Sequence, residues 1–381
     1  MVFENINGET FFLHKRILKI SGLWPLDRWR IGPLFILAIS STLKIMIAMS
    51  RMIMFDQGII SGATALSQLW ALALQLSASL SVRINSDSIV RLIVSTTDSS
   101  MTDSSLTTSP KEREIMKRHQ MFGRPFFVVV PIFFVSSVIL HTITHFPSVG
   151  RAKLTIHQQT ALNDHYTWLA VYEVLFTVAT VYAVVEGMAV LMLLYSLTMH
   201  LSGQFKILRT KFQKFLRIKN KNKGSVTFRR LVDRHNQLLQ LTNDLRNSFS
   251  TTLAASVLEY QITICFAAYE LALALYNARL VESVCATMFV AFTLWLLFVL
   301  YNSGEYLVTC AREIGEVFQQ CQWYNFSKDE RTNISIVMLQ SRTIKTMTAA
   351  GMCKMNHSNY KDIVKAVYSY VTLILAITKD E

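Results

Sequence analysis

The chain has 381 residues, 51% of them hydrophobic and 17% charged, with a formal net charge of +13 and a mean hydropathy of +0.33. That balance fits a polytopic membrane protein better than a two- or three-domain soluble one. The basic excess sits beside apolar stretches and not in a nucleic-acid-binding module, so it orients spans and meets anionic lipid, and no nucleic acid is expected as a partner.

Residues 1–30 precede the first apolar stretch and lack the apolar core of a secretory signal peptide. Phe12, Leu13, Ile17, Leu18 and Ile20 have helical spacing and predict a short amphipathic helix ending at Gly22-Leu-Trp-Pro25. Seven apolar stretches follow, at 31–55, 62–82, 125–146, 166–198, 249–275, 283–303 and 358–378. A crossing takes about 20 such residues. Gln57–Val82, Pro125–Phe146 and Ser283–Gly304 contain no Asp, Glu, Lys or Arg. Three other stretches carry charge: Lys44 and Arg51, Glu173 and Glu186, and Glu259 and Glu270. In the last one only Ala366–Thr378 is uncharged, so composition alone leaves open a six-span chain with an interfacial final helix.

Between the second and third stretches, 11 of the 15 residues of Ser95–Ser109 are Ser or Thr, predicting a solvated, flexible segment; 111–124 then read as a charged helical lead. The fourth stretch has no strong helix breaker from Tyr166 to Leu208, too long for a bilayer at about 1.5 Å per residue. Leu231, Leu238, Leu241 and Leu245 repeat at coiled-coil-like spacing before the fifth stretch, predicting helical extensions that pack outside the membrane. The sixth span continues past Gly304, and 328–357 read as a further helix pair or anchor.

Of the 38 Lys and Arg, 30 lie before the first stretch or in the second, fourth and sixth connections, and four lie in the alternate connections and the tail. Basic short loops stay cytoplasmic. The expectation is an all-α membrane protein of seven helices, with the N-terminus inside, the C-terminus outside and a helical cytoplasmic anchor. That polarity is the reverse of a G-protein-coupled receptor.

No nucleotide loop, Rossmann glycine pattern, nucleophile elbow or HExxH is present, so neither an enzyme nor a cofactor is expected. His141 and His145 have metal-compatible spacing without an evident third ligand. Glu186 either pairs with Lys44 or lines an aqueous path. The five cysteines form no disulfide framework. Sequons at Asn325, Asn333 and Asn356 fall on the side read as cytoplasmic and should stay unmodified.

The run Gly304-Glu-Tyr-Leu, Gln322-Trp-Tyr, Met338-Leu-Gln-Ser-Arg342, Ala349-Ala-Gly351, Asn359-Tyr360 and Ala366-Val-Tyr-Ser-Tyr-Val371 resembles the C-terminal signature of insect odorant receptors. Gly22-Leu-Trp-Pro25 resembles that family's N-terminal motif, and His200-Leu-Ser-Gly-Gln-Phe205 with His235 resembles its second cytoplasmic loop. Gustatory receptors are the nearest alternative, but their Thr-Tyr…Gln-Phe ending is missing after Tyr368-Ser-Tyr370. Residues 199–249 are too short a loop for the family's co-receptor, so the chain resembles a ligand-selective tuning subunit.

The resemblance implies an odorant-gated, non-selective cation channel, formed as a heterotetramer with the co-receptor in the plasma membrane of olfactory sensory neurons. It divides the chain into a cytoplasmic segment 1–30, a ligand-binding bundle of six helices 31–303, an anchor 304–357, and a pore-lining helix with a short outer tail 358–381. Aligned on Tyr370, the family's apolar constriction falls on Leu373 and Ile377, with Ala376 where the co-receptor is polar; packing against lipid or bundle is the alternative. The resemblance places the odorant among spans two to six, with Trp70, Ser137, Leu140, His141, Tyr172, Phe176, Tyr269, Met288 and Phe292 as candidates, each of which ordinary packing would also explain. Ile334, Ile336, Val337, Leu339 and Met347 suit either a subunit interface or internal packing. A G-protein-coupled receptor is disfavoured by the missing Asp-Arg-Tyr and Asn-Pro-x-x-Tyr motifs, and a transporter by the absence of a repeat of spans.

An amino-terminal epitope should be stained by antibody only after permeabilisation; staining of intact cells would contradict the polarity read from the loop charges.

Overall fold

The computed structural model describes residues 79–101, 110–121, 166–218, 224–276 and 280–380, together with positions 19, 77, 129, 132, 133 and 136. Residues 79–84 are helical and turn at Asn85 into α1, Ser86–Met101; α2 is Pro110–Met121. The fourth, fifth, sixth and last apolar stretches lie in α3 (Tyr166–Ile218), α4 (Gly224–Tyr276), α5 (Leu280–Gln319) and α7 (His357–Asp380). Between α5 and α7 come a 3-10 turn, Trp323–Asn325, the helix α6 (Lys328–Arg342), and a hairpin of β1 (Thr348–Ala349) and β2 (Cys353–Lys354). The protein is thus a helical membrane protein. Three of its described helices contain segments long and apolar enough to cross a bilayer, Gly187–Arg217, Phe228–Tyr276 and Ser283–Gln319. The first three apolar stretches lie almost wholly outside the described residues.

α3 and α4 each have 53 residues. At about 1.5 Å per residue each is about 80 Å long, against about 30 Å of hydrocarbon. The surplus lies at the charged ends, 199–218 and 224–248, and there the helices pack as a water-soluble protein would. Phe205, Leu208 and Phe212 of α3 are buried against Phe228, Leu231 and Leu238 of α4 and Leu307, Ile314 and Phe318 of α5. Four rings close the tip: Phe212 meets Phe318 edge-on at 5.0 Å between centroids, and Phe215 stacks on Phe228 at 5.3 Å. Of the predicted leucine repeat, Leu231, Leu238 and Leu245 are buried and Leu241 is half-buried. Such edge-on and offset rings add to what area burial alone gives.

Two expectations are corrected. Ser95–Met101 is helical and not irregular: the Ser95 hydroxyl donates to the Arg91 carbonyl at 2.6 Å, so it bonds within the helix it was expected to interrupt. Residues 102–109 lie outside the described residues. In 328–357 the expected second helix is the hairpin. Ala350 (φ 48°) and Gly351 (φ 73°) make its turn, closed by the Met352 N–H on the Ala349 carbonyl at 3.0 Å. α6 starts at a capping box, in which the Ser327 N–H and hydroxyl both donate to the Glu330 carboxylate, at 3.2 and 2.8 Å.

The hairpin is wedged between α4 and α5. The Ala350 N–H donates to the Ser250 carbonyl at 3.1 Å, and the Ser250 hydroxyl donates to the Thr348 carbonyl at 3.2 Å. On the α5 side it sits over Gly304, where an added Cβ would lie 2.8 Å from Met355 Cβ and 3.1 Å from the Met355 carbonyl oxygen. Gly304→Ala should therefore push the hairpin off α5 and cost about 1–3 kcal/mol. A lowered thermal midpoint of the purified protein checks this; an unchanged midpoint would show that the contact yields freely.

Candidate functional site

Of the nine ligand candidates, Trp70, Ser137, Leu140 and His141 lie outside the described residues. Tyr172 and Phe176 fall within α3, and their side chains are outside the described part. Glu186 likewise falls within α3 with its side chain outside the described part, and Lys44 and His145 lie outside the described residues. Tyr269 of α4 is half-buried. Phe292 of α5 stacks on Phe133 at 4.1 Å between centroids and lies 5.7 Å from the Trp295 ring. Met288 is 55% exposed, on an outward stripe with Leu280, Val284, Trp295 and Phe298. Phe133 and Trp295 thus join Phe292 in an aromatic group that periodicity could not reveal, because both spans are apolar on every side.

α7 packs on α4 and α5 through Ile363 and Val367. Its other face is exposed in the chain, with Asp362, Lys365, Ser369, Thr372, Leu373 and Ala376 recurring at helical spacing and Tyr370 at the edge. The Thr372 hydroxyl turns back onto the helix, donating to the Ser369 carbonyl at 2.9 Å, which leaves that face less polar. Ile377 is in the helix, with its side chain outside the described part.

The base of α7 is fixed. Asn356 caps it, its side-chain oxygen accepting the Asn359 N–H at 2.9 Å. The Asn359 amide donates to the Lys354 carbonyl at 2.8 Å, and the fully buried Tyr301 hydroxyl lies 3.1 Å from Cys353 Sγ. The start of α7 is therefore tied to β2, and β2 in turn to α5 through Tyr301.

α2 docks on α3 and α5 through His119, whose Nδ1 lies 2.7 Å from the Ile115 carbonyl and Nε2 2.9 Å from the Tyr306 hydroxyl. The carbonyl can only accept, so Nδ1 carries the proton and the neutral ring accepts from Tyr306 at Nε2. Burial lowers the His119 pKa, aided by Lys206 and Arg118 and opposed by the Ile115 carbonyl. Lys206 Nζ stands 4.8 Å from the centre of the Tyr306 ring, a cation–π contact. Gly203 makes the α2–α3 approach close: a Cβ there would lie 3.3 Å from Met116 Sδ. Arg209 and Glu313 pair at 2.9 Å near the surface, where such pairs stabilise little.

On the far side of the foot, α6 crosses α5 at Gly315, where a Cβ would lie 3.1 Å from Ser341 Cβ. Ile334, Val337 and Met347 are buried within the chain, whereas Ile336 and Leu339 are exposed together with Met352. His235 of α4 is fully buried beneath α6, its Nε2 3.4 Å from the Ser341 hydroxyl. Burial pushes its pKa down to about 4, against a hydrogen bond with Gln340. Among the described residues, no group of three or more His, Cys, Asp or Glu could hold a metal ion, and all five cysteines are free.

Residues 63–368 match the family model described as 7tm Odorant receptor. In Drosophila melanogaster, Odorant receptor 82a is 22% identical over 209 residues, 54% of this chain and 54% of that protein. Odorant receptor 13a is 21% identical over 164 residues, 40% of this chain and 39% of that protein. The matched part thus spans about half or less of these curated relatives. Two solved structures of the olfactory receptor OR5 from Machilis hrabei share the fold at 13% identity. One has a TM-score of 0.69 over 97% of this chain and 100% of that one. The other, in complex with eugenol, has a TM-score of 0.66 over 96% of this chain and 97% of that one.

The foot should lose stability in acid. Above pH 6.5 His235 is neutral both folded and unfolded; below it the unfolded chain takes up a proton that the folded site resists until about pH 4. The loss between those values is about 3 kcal/mol, at about 1.4 kcal/mol per pH unit. Thermal midpoints of the detergent-solubilised receptor should fall less steeply over this range in His235→Asn than in the native chain; parallel slopes would contradict the assignment.

Proposed function

Because the chain belongs to the 7tm odorant receptor family, whose members are receptors and channels and not enzymes, we propose that it is an odorant-selective subunit of a ligand-gated cation channel. In this reading it assembles with the family's co-receptor as a heterotetramer in the plasma membrane of olfactory sensory neurons. Residues 1–30 and the anchor 304–357 lie in the cytoplasm, 31–303 hold the odorant, and 358–381 line the pore and end outside. The alternation of loop charge supports this polarity.

The observation that carries the reading is the free face of α7. A surface against lipid has no use for Asp362, Lys365 and Ser369 in register with Leu373. A surface turned towards a water-filled axis shared by four chains does, with Leu373 and Ile377 as the apolar ring that closes it by dewetting. Exposed Ile336, Leu339 and Met352 at the side of the foot suit contacts between the subunits.

The odorant binds in the outer half of the bundle, beside the Phe292–Phe133 pair. Aromatic and methionine side chains give a small apolar molecule contact area and polarizability with few orienting bonds. A ligand burying about 250 Å² gains roughly 6 kcal/mol at about 25 cal/mol/Å², which corresponds to micromolar to millimolar affinity after ordering costs. It opens the channel only as far as it binds the open arrangement more tightly.

Co-expression with the co-receptor in cells whose G-protein signalling is blocked tests this directly. Odorant-evoked current should persist; its loss under the block would favour a G-protein-coupled receptor, and flux without conductance a transporter. Within that assay, Phe292→Ala and Tyr172→Ala should reorder a ligand panel with shifts of about tenfold, the worth of one aromatic contact. Leu373→Ala should change resting leak or permeation and leave the ranking alone; the reverse pattern would discredit both assignments.

A further inference from the structure

Tyr360 is one turn into α7, and its hydroxyl donates to the backbone carbonyl of Leu294, in the membrane portion of α5, at 3.3 Å. Its ring is held edge-on by Phe298 at 5.5 Å between centroids and tilted against Tyr301 at 6.1 Å. Leu294 is two residues from Phe292 and next to Trp295, the aromatic group beside which the odorant is placed. Within α7, Tyr370 and Leu373 follow Tyr360 by about three turns. We propose that the Tyr360–Leu294 bond is the coupling contact between the odorant-binding part of α5 and the pore helix, with Tyr360 a positioning residue for gating. The inference rests on the channel reading above.

Three features suit the bond to this role. Leu294 lies within α5, so its carbonyl also accepts the helical N–H bond from Phe298. Breaking the contact with Tyr360 therefore strands no acceptor on α5, and the cost is confined to the Tyr360 hydroxyl. The neighbouring hydrogen bonds of the α7 base run elsewhere: Asn356 and Asn359 bond to α7 itself and to β2, and Tyr301 reaches Cys353 of β2; the Phe298–His357 stacking at 6.2 Å is the non-directional α5 contact beside it. The aromatic packing of Phe298 and Tyr301 keeps the ring in place while the hydroxyl is free to form or lose its bond. Movement of α5 at Leu294 thus reaches α7 through one removable directional contact.

Tyr360→Phe removes the bond and keeps the ring. In the co-expressed pair, half-maximal concentrations for chemically unrelated odorants should all shift by one common factor of about three- to tenfold, the worth of a single hydrogen bond. Their rank order should be unchanged. Tyr324→Phe, which removes an exposed hydroxyl in the 3-10 turn away from α7, should leave them within twofold. A reordered ranking would make Tyr360 a ligand contact, and unshifted responses at normal surface level would make it a packing residue; either overturns the proposal. If Tyr360→Phe does not reach the surface, 3-fluorotyrosine at position 360 keeps ring and bond while strengthening the donor: a common shift supports the proposal and no shift overturns it. Current from the native pair, recorded alongside, tests the channel reading separately, since its absence would sink that reading whatever the variants do.

Discussion

The structure depends on a mismatch of length. Helices of 53 residues cannot be hidden in about 30 Å of hydrocarbon, and their backbone bonds are satisfied anywhere along them. What changes along α3 and α4 is the side chain: Lys, Arg and Asp spaced among Leu and Phe replace all-round apolar surface past residue 198 and before 249. That pattern can bury a core only if the helices stay together in water, and α5 and α6 complete it. The foot accordingly has a core of its own, with Phe205, Phe212, Phe228, Phe249 and Phe318 all fully buried.

A rigid foot gives the last helix a fixed origin. The hairpin fills the space between α4 and α5 over Gly304, and Asn356, Asn359 and Tyr301 tie the start of α7 to it. Among the described side chains beyond Tyr360, the helix meets α4 and α5 through Ile363 and Val367. A helix anchored at one end and covered on one side can tilt about its base at low cost. The channel proposed above would require this of a gate whose position a ligand biases by modest differential binding.

The helices of the fourth, fifth, sixth and last apolar stretches, the reach of α3, α4 and α5 past a membrane's thickness and the leucine repeat were legible in the sequence, because hydropathy and period report burial directly. The hairpin was not. Two residues per strand carry no period, and the positive φ of Ala350 is a tertiary outcome, supported by the Ala350–Ser250 bond across a hundred residues of chain. The serine-rich end of α1 misled in the opposite sense, since composition cannot say whether a hydroxyl bonds to water or to its own helix. Of the stacked pair Phe292 and Phe133, residue type singled out the first and gave no reason to pick the second. Their pairing joins positions 159 residues apart on helices that are apolar all round, and nothing in either segment marks the shared face.

Hydrogen exchange followed by mass spectrometry on the receptor in lipid nanodiscs tests the central claim, that α3, α4 and α5 continue as a folded core outside the bilayer. Peptides covering 205–215, 231–245 and 307–318 should exchange as slowly as those inside the hydrocarbon, although water reaches their surface. Exchange of these peptides within seconds, at the rate of an open loop, would show that the helices end at the membrane and that α7 has no rigid base from which to work.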